Sequence, residues 1–182
     1  MTTSIEVLES IRAWLKENVC SEFKFKKPDD ENTSGGYNYE LVEPEVFLMF
    51  PPTKDVNNNK PVVPSVTVQF DERSDALIKG KNTMHIRLNF ATWDPGLHTG
   101  DGFQRNVEGW RDVLNFVEAT LRGLENAEFI NDIRILKELE IKSGPISEQD
   151  AIINFYPYWF SYISFYCEFR AISTKEKYSE LL

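Results

Sequence analysis

The chain is poor in the residues that most often carry chemistry. Its 182 residues hold two cysteines and two histidines. Neither His85 nor His98 has a Cys or His partner at metal-ligand spacing, so no metal ligands are assigned. His85 reads as a residue on the polar face of a strand, and His98 as a loop residue. Cys20 and Cys167 stand far apart in the chain. Cys167 falls on the apolar face of a strand pattern and reads as a buried thiol. The start Met1-Thr2-Thr3-Ser4 has neither the basic nor the apolar region of a secretory signal, which argues against a disulfide. In that setting the sequon Asn32-Thr33-Ser34 marks only an exposed loop.

Catalytic motifs are missing as well. There is no G-x-S-x-G and no P-loop. Gly100-Asp101-Gly102 lacks the regular acids of a calcium loop and reads as turn chemistry. Asp29-Asp30-Glu31 and Asp71-Glu72 lie in polar stretches with no apolar surroundings to tune a carboxylate for acid–base work. The chain therefore does not read as an enzyme, and no catalytic or cofactor-binding residue is assigned. No apolar run reaches the roughly 18 residues of a membrane span. Twenty Lys and Arg face 29 Asp and Glu, a net charge of -9. That balance disfavours specific nucleic-acid binding, which needs clustered cations. A soluble, intracellular-type protein is expected.

What the chain does have is apolar pattern and aromatic mass, with 41% hydrophobic and 13% aromatic residues. The length fits one domain over residues 1–182, with mobile loops near 26–36, 53–61 and 96–103 and a polar tail at 173–182. Thr3-Ser4-Ile5-Glu6 predicts a capping box. It opens a helix to about Asn18 whose apolar stripe is Ile5, Leu8, Ile11, Leu15 and Val19. Val46–Phe50 predicts a strand buried on both faces. Val66, Val68 and Phe70, then Met84, Ile86, Leu88 and Phe90, predict two half-buried strands joined by a polar connection over 71–82. Trp93-Asp94-Pro95-Gly96 ends the second of these. Asp94 reads either as a turn initiator or, with Trp93, as part of a site or interface.

The pattern Val107, Trp110, Leu114, Val117, Leu121 and Leu124 predicts a long helix to about Glu125, with Val113 and Phe116 widening its stripe. Ile133, Ile135, Leu139 and Ile141 predict a strand, which Ser143-Gly144-Pro145 breaks. Six of the eight residues from Phe155 to Tyr162 are aromatic. In the strand that follows, Trp159, Ser161, Ile163, Phe165, Cys167 and Phe169 form the core face. Phe160, Tyr162 and Tyr166 load the opposite face with rings, which another layer of the chain or a second subunit must cover. The order of elements predicts an α+β domain: a mainly antiparallel sheet with an N-terminal helix and one long amphipathic helix packed on it.

Three segments carry a family resemblance. They are Met84–Phe90 with its Trp93-Asp94 exit, the helix containing Trp110-Arg111-Asp112-Val113-Leu114-Asn115, and Tyr156-Pro157-Tyr158-Trp159-Phe160 with its alternating strand. This layout resembles the tail-terminator or tail-completion proteins of tailed bacteriophages and related contractile particles. The resemblance implies a structural protein that forms a homo-oligomeric ring, commonly a hexamer, on the last ring of tail-tube protein. It would stop tail polymerisation and offer a surface to the neck or head-completion protein, with no cofactor and no membrane partner. Its place would be the virion tail or neck, after assembly in the bacterial cytoplasm. The acidic balance suits a channel through which DNA slides without sticking. The candidate interface residues are Trp93, Asp94, Trp159, Phe160, Tyr162 and Tyr166. A head–tail connector, or a small ligand-binding module with an aromatic pocket, stands as the alternative.

Overall fold

The computed structural model describes residues 2–28, 39–51, 62–76, 81–99, 102–105, 108–148, 151–152 and 155–170. The expected loops over 29–36 and 53–61 and the tail at 173–182 lie outside these residues.

Helix α1 (Ser4–Asn18) is followed by a short 3-10 turn at Cys20–Glu22 and then by strands β1 (Phe25–Pro28), β2 (Tyr39–Val42), β3 (Glu45–Leu48), β4 (Ser65–Ala76), β5 (Lys81–Trp93), β6 (Gly96–Thr99) and β7 (Gly102–Arg105). Helix α2 (Trp110–Asn126) comes next, then β8 (Phe129–Ile130), β9 (Ile133–Ile135), β10 (Lys142–Pro145), β11 (Ser147–Glu148), β12 (Ala151–Ile152) and β13 (Tyr158–Arg170). The main sheet runs β3-β4-β5-β13-β9-β8, and β10 pairs with β13 beside β9. Only β3–β4 is parallel; the remaining pairs are antiparallel. Three small hairpins, β1–β2, β6–β7 and β11–β12, stand apart from this sheet. The protein is an α+β fold with an N-terminal helix and a long helix on a mostly antiparallel sheet.

The centre of the sheet is the pairing of β5 with β13 in unbroken register, from Tyr158↔Trp93 to Arg170↔Lys81. Met84, Ile86, Leu88 and Phe90 on β5, and Ile163, Phe165, Cys167 and Phe169 on β13, turn inward and are buried. The period of two thus fixes the inner face of both strands as the sequence predicts. Burial pushes the thiols of Cys20 and Cys167 up to about 12. Phe116 of α2 closes this core against Phe23, Phe25 and Phe90, at ring-centroid distances of 5.4, 5.4 and 4.9 Å.

At the start of α1 the Thr3 hydroxyl accepts the Glu6 amide at 3.2 Å, while the Thr3 amide donates to the Glu6 carboxylate at 2.6 Å. The capping box and both helix ends are as predicted, but the stripe differs. Val7, Leu8, Ile11 and Leu15 are buried, and Ile5 is 70% exposed. At 100° per residue Ile5 points about 100° away from the mean direction of that buried set. The same correction applies to α2. Its buried face is Val113, Phe116, Val117, Thr120 and Leu124, whereas Trp110 is 44% and Leu114 is 39% exposed. Val113 and Phe116, read from the sequence as a widening of the stripe, are its middle.

Other expectations change as well. The polar stretch 71–82 is strand over most of its length, because β4 continues to Ala76 and β5 starts at Lys81, past a bulge between Phe70 and Glu72. Residues 26–28 belong to β1, and 96–99 with 102–105 form the β6–β7 hairpin, where loops are expected. Ser143-Gly144-Pro145 does not end a strand: it lies in β10, paired with Ser161–Ile163. Proline is tolerated there because β10 pairs only with β13 among the described strands and so lies at an edge. The strand expected over 133–141 stops at Ile135, and Leu139 is exposed. The strand expected over Val46–Phe50 is β3, Glu45–Leu48, which lies at the edge of the described sheet and is not buried on both faces. Met49 takes a left-handed backbone (φ 63°), and Phe50 beyond it is 73% exposed.

Candidate interaction surface

The six residues singled out by sequence fall in two neighbouring places. The first is a junction where β5 ends, β13 begins, and β1 and α2 approach. Asp94 holds it together. Its carboxylate lies 2.6 Å from the Lys26 ammonium and accepts the Gly96 amide at 3.0 Å. Its own amide donates to the Pro157 carbonyl at 3.0 Å, and its carbonyl accepts the Trp159 indole N–H at 3.3 Å. The Asp94–Gly96 bond is the side-chain turn that Asp before Pro favours, and Gly96, at φ 122°, supplies a backbone that other residues rarely adopt. The Tyr156 hydroxyl donates to the Pro95 carbonyl. Gly109, at the start of α2, is packed so closely that a Cβ there would sit 2.3 Å from Trp159 Nε1 and 2.8 Å from Asp94 Cβ. Asp112, in the first turn of α2, is held above its ordinary value. Burial is the main cause and the charge of Asp94 adds to it, while Lys26 acts in the opposite sense.

Trp93 and Asp94 are buried, and Trp159 is half-buried against the main core. The bonds of Asp94 and Trp159 are spent inside the chain, so the turn-initiating reading of Asp94 describes its geometry.

The second place is the outer face of the sheet, opposite the helices. Here β13 presents Phe160, Tyr162 and Tyr166, all half-buried. Cross-strand pairing sets Tyr166 against His85 and Tyr162 against Asn89. The His85 and Tyr166 rings stack at 4.4 Å with 17° between planes. The Arg87 guanidinium lies 4.7 Å from the centre of the Tyr162 ring. Asp71 reaches over from the bulge of β4, 3.4 Å from His85 Nδ1 and 3.9 Å from Arg87. The Tyr166 hydroxyl stands 3.5 Å from the Glu72 carboxylate. Asn89 donates to the Gln69 side chain at 2.6 Å, and Gln69 donates to the Met49 carbonyl. At the other end Val63, Ala91 and Trp93 form a small buried cluster with Tyr158 and Phe160 against it. Phe155, exposed, meets Phe160 edge-on at 5.3 Å.

The surplus rings are thus covered partly by basic side chains of β5 and partly by this apolar cluster. The surface that remains combines ring edges, hydroxyls and both signs of charge. Among the described residues no three or more His, Cys, Asp or Glu side chains are placed to hold a metal ion. No helix among them is long and apolar enough to cross a membrane.

Sequence reasoning passed over Lys26, Gly109 and Asp112 at the junction, and Asp71, Glu72 and Arg87 on the outer face. Lys26 meets Asp94 across 68 positions, and no local signal reports that. His85 and Arg87 did carry one: both sit on the polar face of β5, and pairing with β13 brings them to the tyrosines. The chain matches no protein-family model and no curated protein at a significant level.

Proposed function

We propose that this chain is a structural protein that caps the tail tube of a phage or phage-like particle. As a ring of six copies it ends tail polymerisation and offers a docking surface to the neck, without catalysis. The observation that carries the reading is where the three resembling segments meet. The Trp93-Asp94 exit of β5, the first turn of α2 and the Tyr156–Phe160 run converge on one junction, tied by Asp94, Trp159 and the close approach of Gly109. The segments therefore form one structural unit. The outer face beside that junction supplies rings and charges for a neighbouring subunit, in a head-to-tail contact that closes into a ring when the rotation permits.

Electron microscopy of particles lacking the protein tests the reading. The expected outcome is tails that grow past their normal length or fail to join heads. Tails of normal length on intact particles would overturn it.

A further inference from the structure

The outer edge of β4 is the largest piece of unpaired sheet among the described residues. β3 covers β4 only from Ser65 to Val68. After Leu48 the left-handed Met49 turns the chain away, while its amide still donates to the Val68 carbonyl at 2.8 Å. β4 itself continues along β5 to Ala76. Asp71–Ala76 are all exposed, and no described strand lies on their outer edge. At about 3.3 Å per residue this is an edge of about 20 Å. It is long enough to template another strand.

The side chains state what would fit. Three carboxylates, Asp71, Glu72 and Asp75, face one guanidinium, Arg73, in this stretch. Arg73 is already held by Asp75 at 2.6 Å and by the Ser4 hydroxyl at 2.7 Å. Asp71 is shared between His85 and Arg87, whereas Glu72, opposite His85 across the strands, has the Tyr166 hydroxyl at 3.5 Å. Two copies pairing through this same edge would set acid against acid, which destabilises cross-strand pairs. The outer side of the edge, with Asp71 and Glu72, calls for basic residues on the incoming strand. The helix side carries Arg73 and Asp75, opposite the buried Met84 and Asn82, and these two neutralise each other. That side calls for uncharged residues. Because successive residues of a strand face opposite sides, the two demands together specify an alternating pattern.

We propose that the β4 edge at Asp71–Ala76 receives, by strand addition, an extended segment of another protein that alternates basic and uncharged residues. The bulge at Phe70/Glu72 and the charges keep the edge from pairing indiscriminately, and the same charges select the partner. The proposal does not rest on the tail-capping reading.

The test is a capped heptapeptide alternating Lys and Val, titrated into the full chain and followed by amide hydrogen exchange. Expected are slowed amides within 71–76 and binding at least about fivefold tighter than that of the matching Glu–Val peptide. Glu72→Lys, at an exposed position, should narrow or reverse that preference. A Lys–Val peptide N-methylated at alternate residues, which cannot pair its backbone, should give no protection. Equal protection with the N-methylated peptide would reduce the effect to charge attraction and overturn the proposal. Protection on another edge, or no binding, would overturn it too.

Discussion

Asp112 shows how a single residue encodes a pH dependence. Its carboxyl is raised first by burial and then by Asp94, while Lys26 works against the shift. A carboxyl that titrates higher in the folded chain than in the unfolded one binds more protons when folded. Stability then falls as pH rises from the unfolded value through the folded one. The cost is present above the folded value and fades as pH falls below the unfolded value of about 3.9, where both states become protonated. Asp112→Asn should therefore raise the melting temperature at neutral pH, and the gain should shrink as pH falls through the carboxylate range. Thermal melts of the two proteins across that range check it. Equal melting temperatures at neutral pH would mean that Lys26 and the start of α2 offset the burial.

At the scale of elements, α2 is the sharpest case. Its pattern predicts the helix, but the row that meets the sheet is Val113, Phe116, Val117, Thr120 and Leu124. Phe116 is fully buried among Phe23, Phe25 and Phe90. Phe116→Ala should cost about 3–5 kcal/mol. Leu114→Ala, at a position 39% exposed, should cost less than about 1 kcal/mol. Denaturant titration of both variants decides between the two stripes, and the opposite order would return Leu114 to the core. Strand β4 teaches a related lesson. Asp71–Ala76 has the composition of a loop. It is strand because β5, held along its other side by all of β13, offers a ready edge.

For the whole molecule, the proposed ring gives the outer face a testable role. Tyr162 and Tyr166 lie on it under Arg87 and beside His85. Both are only half-buried, so removing the rings leaves the helix-side core intact. Replacing both with Ser should lower the melting temperature by only a few degrees, since each pairing is worth about 0.5–1 kcal/mol. If those rings meet a neighbouring subunit, ring formation on the tail tube should fail in the same variant. Sedimentation and electron microscopy with tail-tube protein separate the two effects. A variant that assembles normally would place the subunit contact elsewhere.

Local rules made α1, its capping box, α2 and the inner faces of β5 and β13 legible in the sequence, because each depends on neighbours one turn or two residues away. The α+β class follows from their order. The rest depends on contacts between residues far apart in the chain. Which flank of α2 is buried was settled by where β5 and β13 run beneath it, since an apolar stripe broader than its contact has no preferred centre of its own. Strand character at Asp71–Ala76 and in β10 came from an adjoining strand, not from composition. At the junction, Lys26 meets Asp94 and Trp159 meets Gly109 only once the whole sheet has closed. The sequence alone therefore determined the helices and the inner faces of the central strands. Tertiary structure decided the partners of Asp94, the covering of the tyrosines and the open edge of β4, because burial and pairing belong to the assembled sheet and not to any one segment.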